Sequence, residues 1–229
     1  MLEEEYQRRR RLPAHLRKPA PPLPVFSYEI RPATASDLPD VREVYNHYVM
    51  NSTVTFDETR MTLARWRGRF SQLERMGMPF LIAVSPSGQV LGYALVEPVG
   101  NRRSSRTTVE DSIYLGAAST GKGLGRALLM ALVDACREAG IREVIAVIAD
   151  QGADASIRLH ASLGFTESGR MGRVGWKFGR WLGTVTMQLT LKPTAQPGRW
   201  ARAMRRATLA AAAPRPTTPA PAPAAPPAR

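Results

Sequence analysis

This sequence predicts an α/β fold, a mixed sheet with helices on both faces, and three observations carry the prediction. First, residues 107–131 read T-T-V-E-D-S-I-Y-L-G-A-A-S-T-G-K-G-L-G-R-A-L-L-M-A. Val109, Ile113, Tyr114 and Leu115 are β-formers, a glycine-rich turn follows, and Arg126 to Cys136 has helical periodicity. Second, Glu143 to Asp150 (E-V-I-A-V-I-A-D) is apolar almost throughout, as a strand buried on both faces is. Third, the runs Phe80 to Val84 and Val90 to Val96 flank Pro86-Ser87-Gly88, the mark of a hairpin, so antiparallel pairing precedes the strand–helix–strand portion.

The remaining elements follow in chain order. Tyr28-Glu29-Ile30-Arg31 is a short strand ended by Pro32. Ser36-Asp37 caps a helix whose apolar stripe is Leu38, Val41, Val44, Tyr45 and Tyr48, with His47 packing beside it. Asn51 to Asp57 is a polar, β-branched loop suited to lining a site. Thr62 opens a second helix, with Leu63, Trp66, Phe70 and Leu73 on one face and Gly77 after its end. Gly100 to Ser105 is a basic loop leading into the central strand. Gly140 ends the helix that follows the glycine turn, and Ala155 to Leu163 is a short helix closed by Gly164. Phe165 opens another strand, Gly169 to Gly183 reads as a glycine- and cation-rich loop, and Thr184 to Leu191 is a last alternating strand.

Composition changes sharply at both ends, which divides the 229 residues into a folded portion, 26–192, and extensions at 1–25 and 193–229. The first carries R-R-R-R at Arg8 to Arg11 and P-A-P-P-L-P at Pro19 to Pro24; the second is Ala, Pro, Arg and Thr. Proline at that density, with little apolar bulk to offset ordering entropy, predicts disordered tails. Of the net charge of +13, the N-terminal stretch holds +3 and the C-terminal stretch +6, leaving +4 for 26–192. Trp200 alone makes no base-stacking platform, so the tails read as solvated segments rather than as nucleic-acid-binding arms. The single Cys136 excludes an internal disulfide and a cysteine-based metal cluster, and no metal is expected. No apolar run reaches transmembrane length and no apolar segment follows the N-terminal arginines, so a cytoplasmic protein without membrane attachment is expected.

Gly121, Gly123 and Gly125 recur at every second position between strand and helix. They free backbone N–H groups to point at an anion, and the helix dipole adds its positive end there. The turn therefore reads as a phosphate-binding element beside a strand that carries a carboxylate, Glu110. One candidate is a P-loop, since Gly116 to Lys122 fits G-x-x-x-x-G-K. The match breaks at Gly123, where Mg²⁺ binding needs Ser or Thr, and the N-terminal hairpin leaves too few parallel strands. The other candidate is an acyl-CoA site. Thr120-Gly121-Lys122-Gly123-Leu124-Gly125-Arg126 resembles the pyrophosphate loop of the GCN5-related N-acetyltransferases, the GNAT superfamily. I-R-P-A-T-A-S-D-L, V-Y-N-H-Y-V, S-T-V-T-F-D, T-V-E-D-S-I-Y-L, A-V-I-A-D, A-S-I-R-L-H-A-S-L-G-F and G-W-K-F-G-R-W are similar to the phosphinothricin/methionine sulfoximine N-acetyltransferase branch, over about residues 28–191.

The resemblance implies the GNAT fold, with a mostly antiparallel sheet, and acetyl-CoA-dependent N-acetylation of a small amino-acid-like amine by direct acyl transfer. A CoA-binding module without turnover and a protein-lysine acetyltransferase are the alternatives. By the same resemblance, the N–H groups of Gly121, Lys122, Gly123, Leu124, Gly125 and Arg126 bind the CoA pyrophosphate. Ile113, Tyr114 and Leu115 pair with the pantetheine arm as an added strand would, and Ser156 belongs to the CoA side. Glu110 takes the position of general base, and burial in an apolar strand raises a carboxylate's pKa as that role needs; an ion pair with Arg102 or Arg106 is its other reading. His160 stands where many relatives carry a tyrosine that protonates the thiolate, and either does so or hydrogen-bonds in the core. Phe56, Lys177, Phe178, Arg180 and Trp181 either shape the acceptor pocket or serve packing and solvation, and Arg102 and Arg106 are candidates to clamp a substrate carboxylate. Relatives also suggest a homodimer. Thr120, Ala153 and Ser105 depart from the residues usual at those positions: Gln or Arg, a CoA-contacting Asn, and Tyr.

Overall fold

The computed structural model describes residues 26–100 and 107–192. The expected tails at 1–25 and 193–229, and Ser105, Arg102 and Arg106 in the basic loop, lie outside the described residues. The chain begins with β1 (Glu29–Pro32), α1 (Leu38–Asn51) and α2 (Leu63–Arg75), then β2 (Phe80–Val84), β3 (Val90–Pro98) and β4 (Thr108–Leu115). It continues with α3 (Leu124–Glu138), β5 (Glu143–Ala149), α4 (Asp154–Ala161), β6 (Thr166–Lys177) and β7 (Arg180–Thr190). One seven-stranded sheet has the order β1-β2-β3-β4-β5-β7-β6, and β4–β5 is its only parallel pair among the described residues. The mixed, mostly antiparallel sheet is the one the sequence predicts.

Local chemistry fixes the helix starts. Asp37, ahead of α1, accepts two 2.8 Å hydrogen bonds from Arg31 and one of 2.8 Å from the Thr34 N–H, which ties β1 to the helix entry. Thr62 caps α2 by accepting from the Arg65 N–H. Two hydrophobic clusters then cover the two faces. On one, α1 and α2 bury Leu38, Val41, Tyr45 and Trp66 against Ile82, Tyr93 and Leu95 of the sheet. On the other, α3 buries Leu124, Leu128 and Leu132 against Leu81, Val109, Val144 and Val185, with Leu159 of α4 packed against them.

The stretch expected as a loop from Gly169 to Gly183 is instead most of a long hairpin. Phe178 and Gly179 both have positive φ (50° and 74°), which is the type I′ geometry that joins two twisted strands by two residues. A register shift between Met171 and Gly175 absorbs the remaining irregularity. Two of the glycines that look like loop residues, Gly175 and Gly183, serve close packing: a Cβ on Gly175 would stand 2.7 Å from the Phe56 ring.

Candidate active site

The parallel pairing of β4 and β5 lasts only three residues, from Thr108↔Glu143 to Glu110↔Ile145. Beyond it β4 runs on to Leu115, while β5 stays bonded to β7 as far as Ala149↔Thr184. The sheet therefore splits into a wedge whose apex is at Glu110, and a cleft of about 720 Å³ occupies the split. The edge of β4 that faces the split, from Asp111 to Leu115, has no strand partner on that side among the described residues, which leaves it open to an extended ligand. The cleft ends at the glycine turn, where Thr120, Gly121, Gly123, Gly125 and Arg126 line it.

Gly121 and Gly123 have φ of 72° and 79°, the left-handed conformation that a side chain disfavours. Gly123 is the N-cap of α3 and the first intrahelical bond runs from the Ala127 N–H to its carbonyl, 3.2 Å. The N–H groups of the first helical turn, from Leu124 to Arg126, consequently have no intrahelical acceptor and point out of the helix end. Thr120 Oγ1 donates to the Ala117 carbonyl at 3.0 Å, so its side chain steadies the approach to the turn.

Strand alternation places Glu110, Ser112 and Tyr114 on the α1/α2 face and Asp111, Ile113 and Leu115 on the α3/α4 face. Glu110 is open to solvent through the cleft. Even so, desolvation by its flanking protein, followed by the charges of Asp111 and Glu97, raises its pKa above the ordinary carboxylate value, with Arg69 opposing. Glu97 is its direct cross-strand partner on β3. Arg69 of α2 holds Glu97 bidentately, at 2.8 and 2.6 Å, and lies 5.0 Å over the Trp66 ring.

On the opposite face His160 is 1% exposed. Its Nδ1 is 2.8 Å from the Ser156 carbonyl oxygen, its Nε2 is 3.1 Å from Asp111 Oδ2, and its ring meets Phe165 edge-on at 4.9 Å. The spacing of Ser156 and His160 on one helical face is as the sequence predicts, with Ser156 Oγ 3.4 Å from Nδ1. Cys136 lies buried on α3, and burial pushes its thiol far up the pH scale, which suits packing and not nucleophilic attack.

Eleven of the sequence-derived candidates converge on the cleft: Phe56, Glu110, Ile113, Tyr114, Leu115, Gly121, Gly123, Gly125, Arg126, Ser156 and His160. Others lie elsewhere. Lys122 places its Nζ 4.6 Å over the Phe26 ring, and the Leu124 side chain is in the core, so that residue offers the turn only its backbone. Lys177 is buried at the end of β6 and donates to the Thr55 carbonyl at 2.8 Å, pinning the loop that carries Phe56 rather than facing the cleft. Phe178 and Trp181 are exposed on the hairpin, and Arg180 is exposed beside them. His47 is exposed on α1 with its ring edge-on to Tyr48. Ala153 occupies the α4 N-cap without a side-chain bond. Sequence reading passed over Asp111, Tyr48 and the β5 lip Ala146 to Ala149. Alternation with Glu110 sends Asp111 to the other face, but its histidine partner, like Tyr48, whose hydroxyl donates to the Leu115 carbonyl at 2.7 Å, required the fold. Among the described residues no group of His, Cys, Asp and Glu is arranged to hold a metal, and no helix is long and apolar enough to cross a membrane.

A family model described as acetyltransferase (GNAT) family matches residues 41–165. The L-methionine sulfoximine/L-methionine sulfone acetyltransferase of Pseudomonas aeruginosa is 44% identical over 169 residues, 74% of this chain and 98% of that protein. The phosphinothricin N-acetyltransferase of Alcaligenes faecalis is 38% identical over 162 residues, 71% of this chain and 82% of its own length. A GNAT superfamily phosphinothricin acetyltransferase from Sinorhizobium meliloti, solved in complex with AcCoA, superposes with a TM-score of 0.69 at 41% identity, covering 75% of this chain and 96% of that one. With its wedge, its glycine turn and these relatives, the chain belongs to the GNAT acetyltransferase family.

Proposed function

We propose that this enzyme transfers the acetyl group of acetyl-CoA to the α-amino group of a small amino acid of the methionine sulfoximine, methionine sulfone or phosphinothricin type. The observation that carries the reading is Glu110 at the apex of a strand-lined wedge whose far end is an anion-ready glycine turn. The residues present fit acetyl-CoA. The N–H groups of Gly121 to Arg126 suit the pyrophosphate, the free edge from Ile113 to Leu115 suits the amides of the pantetheine arm, and the thioester falls toward the apex.

Glu110, with its raised pKa, accepts the proton of the acceptor ammonium, directly or through one water. The amine nitrogen then attacks the thioester carbonyl carbon, a backbone N–H of β4 steadies the oxyanion, the C–S bond breaks, the nitrogen gives up its second proton to water to become the amide, and the thiolate takes a proton from the His160 side of the cleft. No covalent enzyme intermediate is required. Phe56 and Thr55 border the acceptor side of the cleft, held there by the Lys177 hydrogen bond. The test is CoA release with purified protein against a panel of methionine sulfoximine, methionine sulfone, phosphinothricin, ordinary amino acids and lysine peptides. Turnover confined to the lysine peptides would replace this reading with a protein acetyltransferase.

The Glu97–Arg69 pair tunes the base. In Glu97→Gln a negative charge across the strand is removed and Arg69 loses its partner, and both changes favour the ionised form of Glu110. The acid limb of the kcat/KM profile is therefore expected to move to lower pH; an unmoved limb would mean that Glu97 does not act on the ionisation. A second copy of the chain suits the edge strand β6, which exposes Met171, Val174 and Trp176 beside Trp181. Sedimentation as a monomer at micromolar concentration would remove that part of the proposal. A cytoplasmic setting, where acetyl-CoA is supplied, is the compartment this reading expects.

A further inference from the structure

Asp111 is the one buried carboxylate bordering the cleft among the described residues. It follows Glu110 on β4 and so points to the opposite face, toward α4. Its Oδ2 meets His160 Nε2 at 3.1 Å, and the side chains of the pair are only 1% and 2% exposed. Its Oδ1 is buried without a hydrogen-bond partner. A carboxylate in such a place is costly unless a charge or a donor compensates it.

The other nitrogen of His160 decides how the pair is protonated. Nδ1 stands 2.8 Å from the Ser156 carbonyl oxygen, which can only accept. Beside an ionised Asp111, a neutral imidazole has one N–H and would leave one of its two nitrogens facing an acceptor with a lone pair. Two N–H groups satisfy both contacts, and the resulting imidazolium compensates Asp111. Of the other groups near the pair, the Ser156 hydroxyl stands 3.4 Å from Nδ1, a longer contact than the carbonyl at 2.8 Å, Cys136 on α3 is a neutral thiol, Phe165 presents a ring edge, and Glu110 lies on the far face of β4.

Building on the acetyltransferase reading, we propose that Asp111 is a positioning residue for the transfer. It fixes the His160 ring beside the apex of the wedge in the doubly protonated form, whose Nδ1 proton can pass by way of the Ser156 hydroxyl, 3.4 Å away and lining the cleft, when the C–S bond breaks. Glu110 and the Asp111–His160 pair then flank the apex from opposite faces of one strand, the first accepting the amine's proton and the second returning one to the thiolate. Burial alone would discharge the histidine; the hydrogen bond and charge of Asp111 outweigh it and raise the imidazole above its ordinary value.

The first test needs no substrate. In ¹⁵N-labelled full-length protein, the His160 side chain, assigned by its loss in His160→Gln, is expected to show both ring nitrogens protonated at pH 7. A single protonated nitrogen at pH 7 overturns the proposal whatever the enzyme acetylates. The second test is Asp111→Asn, which keeps the shape and removes the charge. It is expected to lower kcat by about tenfold or more, to leave KM for acetyl-CoA unchanged, and to move the alkaline limb of the kcat profile to lower pH. Wild-type kcat and an unmoved alkaline limb in a folded Asp111→Asn protein would also overturn it. Absence of turnover in the wild type, with His160 doubly protonated, would instead count against the acetyltransferase reading and leave the protonation of the pair intact.

Discussion

Glu110→Gln lowers kcat by about a hundredfold or more at neutral pH, the range that removal of a positioned general base produces, while affinity for acetyl-CoA stays near that of the wild type. The split follows from where the residue stands. Glu110 is at the last parallel pair of β4 and β5, on the α1/α2 face, so its carboxylate faces the acceptor side and not the strand edge or the glycine turn. Gln keeps the size and removes the proton acceptor. Its raised pKa also fixes the sign of the pH dependence, because the group is ionised and competent only above that value. The wild type therefore loses kcat/KM as pH falls, and the variant's residual rate lacks that limb. Steady-state rates from pH 5.5 to 9 measure both features, and an unchanged kcat removes Glu110 as the base.

Gly123→Val acts on the other end of the cleft. Its φ of 79° costs a non-glycine residue about 1–2 kcal/mol, and a β-branched side chain is the least suited to relieve it. No atom lies within 4 Å of a Cβ built there, so the penalty is conformational and not a clash. Relaxing it means rotating the N-cap of α3 and with it the unpaired N–H groups of Leu124 to Arg126. The expected result is a rise of about tenfold or more in KM for acetyl-CoA, since each 1.4 kcal/mol of lost binding is one decade. The kcat at saturating cosubstrate should change far less. Binding titration of acetyl-CoA separates the two, and wild-type affinity would show that the turn does not grip the cosubstrate.

Where one residue type has one structural consequence, the sequence was readable. Gly121 and Gly123 announced positive φ, Thr62 announced a cap, and the apolar run of β5 announced a strand, but not one covered on both faces: Val144, Ala146 and Ile148 are buried, whereas Val147 on the other face is 42% exposed where the cleft opens. Glu110 stood out as an acid among β-formers. The hairpin β6–β7 did not, because its glycines meet needs that only the tertiary structure supplies. Gly175 makes room for Phe56, and a Cβ on Gly183 would stand 2.4 Å from the Met171 carbonyl oxygen. Lys177 stayed open for the same reason: a lysine in a basic stretch suits a pocket or a packing role equally until Thr55, 122 residues away in sequence, is seen to accept its hydrogen bond. Asp111 was hidden by its neighbour. Period-two alternation sends it to the other face, but only the position of α4 reveals that a histidine waits there.

In direct transfer, acetyl passes from acetyl-CoA to an amine at the wedge apex with no acetyl-enzyme between them. An acetyl balance by mass spectrometry tests it most directly, with the full-length protein incubated first with acetyl-CoA alone and then with methionine sulfone added. Direct transfer leaves the protein mass unchanged in the first step, then gives CoA and N-acetyl-methionine sulfone in equal amounts. A protein that gains an acetyl group, or that releases CoA without forming an N-acetylated amine, would contradict it.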